Sequence, residues 1–95
     1  MNVQEYLKSI GLNLEVNKGV DENAYVADIL TSDDYGKVFS KLENSDDLDL
    51  MYDNQVLTEE GSSLVYESLS EPYLLNLIAD FTGDVYQLII NVIEE

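Results

Sequence analysis

Residues 71–81, EPYLLNLIADF, and 84–95, DVYQLIINVIEE, satisfy helical spacing almost as well as strand alternation, and the choice between the two decides the fold. Two features favour sheet. Thr82-Gly83-Asp84 is a short hairpin signal between the two runs. Val85, Ile89, Ile90, Val92 and Ile93 are branched at Cβ, which restricts χ1 and suits a pleated strand better than a helix. The segment therefore predicts a long antiparallel hairpin, 73–81 with 85–94.

Working toward the N-terminus, residues 63–69 predict a strand, and Gly61, Ser62 and Ser63 loosen the connection before it. In DDLDLMYD (46–53) a strand over 47–52 would put Leu48, Leu50 and Tyr52 on one face and Asp47, Asp49 and Met51 on the other, because side chains alternate with period two. Ser32 followed by Asp33 and Asp34 reads as a helix start, the serine capping free amides and the acids favouring the positive end of the dipole. Tyr35, Val38, Phe39 and Leu42 follow at i, i+3, i+4 and i+7, so a helix spans about 33–43. AYVADILT (24–31) and the alternating Leu12, Leu14 and Val16 predict extended segments, with the turn-like KGVDEN between them. Val3, Tyr6, Leu7 and Ile10 have helical spacing over 2–10, with Gly11 as the C-terminal cap. The expectation is one α+β domain over 1–95, an antiparallel sheet of about five strands with two helices packed against it.

Composition narrows the chemistry. The 95 residues contain no cysteine and no histidine, which removes disulfides, thiol chemistry, Cys-type zinc sites and the commonest general base. Calcium loops need a glycine at the sharp turn, and the acid-rich stretches 21–34 and 46–60 lack one at that place. No Gly-rich phosphate loop or Ser-His arrangement is present, and a chain of this size offers no aromatic-lined cleft for paired carboxylates to work in. An enzyme is not expected, and neither is a metal or cofactor. No apolar run approaches the ~20 residues of a membrane span, and no signal peptide is visible, so the expectation is a soluble cytoplasmic protein.

Charge is the dominant feature. Twenty acids against four bases give a net charge of −16. All four bases are lysines, Lys8, Lys18, Lys37 and Lys41, and 13 acids follow Lys41 with no base among them. Direct nucleic-acid binding is disfavoured, since neutralising phosphates takes cations. Disorder is disfavoured too, because the acids are interleaved with aliphatics and seven tyrosines. Each acidic run alone is an ordinary solvated face; the excess implies a negative field aimed at an electropositive partner. Same-face carboxylates on a strand recur every ~7 Å, a spacing that can imitate a nucleic-acid backbone.

Four stretches together resemble a known family: VQEYLKSIG leading into LNLEV, the capped helix TSDDYGKVF, the segment NSDDLDLMYD, and SLVYESLSEPYLLNLIADFTGDVYQLII. This order is similar to that of the phage uracil-DNA glycosylase inhibitors, small acidic proteins with a strand ending in Tyr-Asp, a strand ending near a proline, and a hairpin through an Asp-x-x-Gly turn, here Asp80 to Gly83. The insertion KGVDENAYVAD departs from the family, leaving Asp28, with Glu22 as rival, as counterpart of its edge-strand acid.

The resemblance implies a monomeric DNA mimic that forms a one-to-one complex with the glycosylase. Its carboxylates would sit where phosphates go in the enzyme's basic groove, and an apolar pocket between helix and sheet would enclose the side chain the enzyme inserts into DNA. By position the acids are Asp28, Asp33, Asp34, Asp47 and Asp49, the last two equally readable as solvation. The pocket candidates are Leu30, Tyr35, Val38, Phe39, Leu48, Leu64, Tyr66 and Leu77, each also readable as core. Tyr35 places a bulky ring where a small aliphatic is expected, which would fill the pocket. The alternative is a DNA-mimic inhibitor of another DNA-binding protein, such as a restriction or CRISPR nuclease; a plain acidic interaction module is a third.

Overall fold

The computed structural model describes residues 2–19, 21–51 and 56–93. Helix α1 (Val3–Ser9) starts at Asn2, whose side chain accepts the Glu5 amide at 2.8 Å. It stops at Gly11, whose φ of +90° is a conformation that side chains disfavour. There the Leu12 amide reaches the Leu7 carbonyl at 2.8 Å and the Gly11 amide reaches Lys8 at 3.1 Å, the paired bonds of a Schellman cap. Strand pairing begins only at β1 (Val16–Lys18), later than the alternation from Leu12 suggests. It antiparallels β2 (Ala24–Ile29).

Helix α2 (Ser32–Glu43) is capped one residue earlier than expected. The Thr31 hydroxyl accepts the Asp34 amide at 3.1 Å, and Ser32 is the first helical residue. Either hydroxyl satisfies the cap chemistry, so sequence alone does not separate them.

Then come β3 (Leu48–Leu50), β4 (Val56–Leu57), β5 (Gly61–Ser68), β6 (Tyr73–Asp80) and β7 (Val85–Val92). The class is α+β as expected, an antiparallel sheet with two helices, but with seven strands among the described residues rather than about five. The order is β1-β2-β7-β6-β5-β3, with β4 also paired to β5. The hairpin of β6 and β7 forms as predicted and occupies the sheet's centre, turning through Asp80, which accepts the Thr82 amide at 3.0 Å and the Gly83 amide at 3.2 Å. The left-handed residue of this turn is Asp84, with φ 51°, not Gly83.

Gly61, Ser62 and Ser63 do not loosen a connection; they are strand residues paired with Asp80, Ala79 and Ile78. Gly61 has no room for a side chain, since a Cβ there would run into the carbonyl oxygen of Ala79. Gly61→Ala should therefore lower stability by about 1–3 kcal/mol, the usual cost of overpacking. A urea midpoint equal to that of the parent protein would contradict it.

Both helices lie on one face. Tyr6, Leu7, Val38 and Leu42 pack with Ala27, Leu64, Tyr66, Leu75, Leu77, Leu88 and Ile90, alternate residues of the strands. Leu48 and Leu50 face this core as predicted, while Tyr52 lies outside the described residues. Asp47 precedes β3 and does not share the outward face of Asp49. Among the described residues no helix is long and apolar enough to cross a membrane.

Candidate functional site

A groove of about 590 Å³ opens where α2, the end of β2 and the segment between α1 and β1 meet. Its apolar walls are Leu12, Leu14, Ile29 and Val38, and Leu30 stands at its mouth with 83 % of its surface exposed. Glu15, Asp28, Asp34, Lys37 and Lys41 also line it.

Local chemistry builds each wall. Gln4 of α1 bridges to the segment opposite, donating to the Leu14 carbonyl at 2.6 Å and accepting the Val16 amide at 3.1 Å, so the unpaired stretch 12–15 is held in place without a strand partner. Lys41 lies along Gly11, close enough that a Cβ there would come within 3.3 Å of its Cδ. Asp34, Lys37, Val38 and Lys41 share one face of α2 at i, i+3, i+4 and i+7. Along that face the charge changes from acidic at the helix N-terminus to basic toward its end.

The acids expected from the sequence separate into three places. Asp28 and Asp34 both line the groove, although the Asp28 carboxylate also accepts from Gln87 Nε2 at 3.2 Å on the other face of the sheet, and Asp33 is exposed in the first turn of α2 beside it. Glu22, the rival of Asp28, sits in the β1–β2 turn, about 20 Å away along β2 at ~3.4 Å per residue. Asp49 is exposed on the edge strand, directly across from Glu67.

Asp47 is engaged internally. Its Oδ2 accepts from the Tyr6 hydroxyl at 2.6 Å, Ser68 Oγ at 2.8 Å and Ser70 Oγ at 2.8 Å. Burial works to raise its pKa, but the hydroxyl bonds from Tyr6, Ser70 and Ser68 outweigh it and hold the carboxyl below its ordinary value. The Tyr6 phenol is pushed up, first by burial and then by this carboxylate, and stacks edge-on against Tyr73 at 5.1 Å.

The expected pocket residues divide likewise. Leu30 and Val38 line the groove; the others do not. Leu48, Leu64, Tyr66 and Leu77 are buried in the core, Tyr66 donating to Glu43 Oε1 at 2.7 Å. Tyr35 bonds Ser62 Oγ through its hydroxyl at 2.9 Å and packs its ring 5.3 Å from that of Tyr86, and Phe39 is partly exposed. Leu12, Leu14 and Glu15 were not anticipated as groove residues, because their alternation reads as ordinary strand. The Lys37/Lys41 pair at i, i+4 was the signal available for the basic end.

Comparison with protein-family models, with curated proteins and with solved structures found no match.

Proposed function

We propose that this chain is a DNA-mimicking protein inhibitor of uracil-DNA glycosylase. The observation that carries the reading is an apolar recess bordered by Glu15, Asp28 and Asp34 on a molecule of net charge −16. The resemblance in the order of sequence signals adds to it. In this mechanism the acids at the N-terminal end of α2 approach the enzyme's basic groove, and Leu12, Leu14, Ile29 and Val38 receive the apolar side chain the enzyme would otherwise insert into DNA. Lys37 and Lys41 fix the orientation, since a cationic partner is repelled from that end. Charge then governs association and the apolar contact governs dissociation.

The decisive assay is uracil excision from DNA by a glycosylase in the presence of the purified protein. Excision should fall with rising inhibitor; excision unchanged at large molar excess ends the proposal. Replacing Asp28, Asp33 and Asp34 together by Asn should slow association about tenfold at low salt, where steering is strongest. An unaffected association rate in stopped-flow measurements would contradict the role given to these acids.

One observation favours the alternative, inhibition of a restriction or CRISPR nuclease. Between α2 and the sheet, Tyr35 is packed against Tyr86 and bonded to Ser62, so that interface has charge beside it but no vacancy. Inhibited DNA cleavage with uracil excision untouched would select it.

A further inference from the structure

The sheet's second face is covered by neither helix. Pairing places its side chains in rows: Asp28, Gln87, Ile78 and Ser63; then Val26, Ile89, Asn76 and Val65; then Asn91, Leu74, Glu67 and Asp49. Val26, Val65, Leu74, Ile78 and Ile89 are all half-buried: Val26, Ile89 and Val65 lie in one row across β2, β7 and β5, and Ile78 and Leu74 lie along β6 on either side of Asn76, the polar member of that row, so they form an aliphatic patch around Asn76. Asp28 on β2 flanks the patch on one side, and Glu67 on β5 with Asp49 on β3 flank it on the other. No lysine appears in these rows. Lys8 is on α1, Lys37 and Lys41 are on α2, and Lys18 pairs with Tyr25 on the helix side of the edge hairpin.

From this placement we propose that the open face is a second docking surface, sharing Asp28 with the groove, and that it takes a cationic amphipathic helix of a partner protein. The dimensions agree. β2 and β5 are three strand spacings apart, about 14 Å, which accommodates a helix ~10 Å wide with lysine or arginine side chains reaching to both flanks. An apolar stripe on such a helix adds a third layer on a face that antiparallel sheets ordinarily leave to solvent. Two copies of this chain do not suit each other here: face-to-face stacking of two −16 molecules sets acids against acids over the same patch.

The test uses the intact protein, isotope-labelled, titrated with a synthetic leucine–lysine amphipathic helical peptide at physiological salt. Amide shifts should concentrate at Val26, Val65, Leu74, Ile78 and Ile89, and a scrambled peptide of the same composition should bind at least about tenfold more weakly. Asp49→Lys with Glu67→Lys should weaken binding by a similar factor, as should Ile78→Ser with Ile89→Ser, the fold of each variant checked by its amide spectrum. Shifts confined to residues 12–17 and α2, equal binding of the scrambled peptide, or absence of binding would overturn the proposal. A dimer in sedimentation that Ile89→Ser dissociates would overturn it in favour of self-association. Because uracil excision plays no part in these readouts, the result stands or falls separately from the inhibitor proposal.

Discussion

Leu77→Ala should remove about 2–5 kcal/mol of stability, read as a fall in the urea midpoint, and should reduce partner binding only through the unfolded fraction. Leu77 is fully buried on β6, paired with Leu64 on one side and Leu88 on the other, with Ala27 completing the row across the sheet. Truncating it leaves a void in the middle of a row that crosses four consecutive strands under the helices, and close-packed interiors relax only partly around such voids. A domain of this size has on the order of 5–14 kcal/mol in total, so the loss is a large fraction of it. A wall residue of an open pocket behaves differently: truncation there enlarges a recess already in contact with solvent and costs little. Leu30→Ala is the matched control, expected within ~0.5 kcal/mol because the side chain is already exposed. A Leu77→Ala variant as stable as Leu30→Ala would show that α2 and the sheet enclose an open pocket after all.

Legibility in the sequence followed how local each determinant is. The β6–β7 hairpin was readable because branched residues and a turn signal act within a few positions, and α2 because its cap, acids and apolar spacing coincide. Strand order was not readable: β2 and β5 alternate in the same way, and nothing within either says that β2 will pair with β7. Gly61–Ser63 looked like a loop because Gly and Ser are turn residues in general, whereas here the missing Cβ of Gly61 admits the Ala79 carbonyl and the Ser62 and Ser63 hydroxyls bond Tyr35 and Asn76. The groove was half legible. Asp34 and Val38 lie on the helix that its cap and spacing predict, and Asp28 came only from the family resemblance, while the opposing wall depends on Gln4 holding residues 14–16, a long-range contact invisible to periodicity. Asp47 and Asp49 lie two residues apart in one alternating run, yet one is tied down and the other exposed, because only Asp47 has Tyr6 of α1 beneath it.

That difference gives Asp47 a distinct pH signature. Asp47→Ala should cost about 1–3 kcal/mol, the penalty for leaving the buried Tyr6 hydroxyl and the Ser68 hydroxyl without their charged acceptor. The folded-state pKa of Asp47 lies below its ordinary value, so folding favours the carboxylate. The unfolded chain binds this proton first as the solution is acidified, near pH ~3.9. The stabilisation is therefore complete above that value and is lost as pH falls through the folded pKa. Asp47→Asn keeps the shape and cannot ionise, so the gap between the parent protein and this variant should be widest near neutral pH and should close in acid below about pH 4. Urea midpoints measured for both proteins from neutral to acid pH check this directly. A gap independent of pH would mean that the hydroxyl cluster is held by shape and not by charge. A gap absent at neutral pH would release Asp47 from its structural duty and return it to the set of surface acids available to a cationic partner.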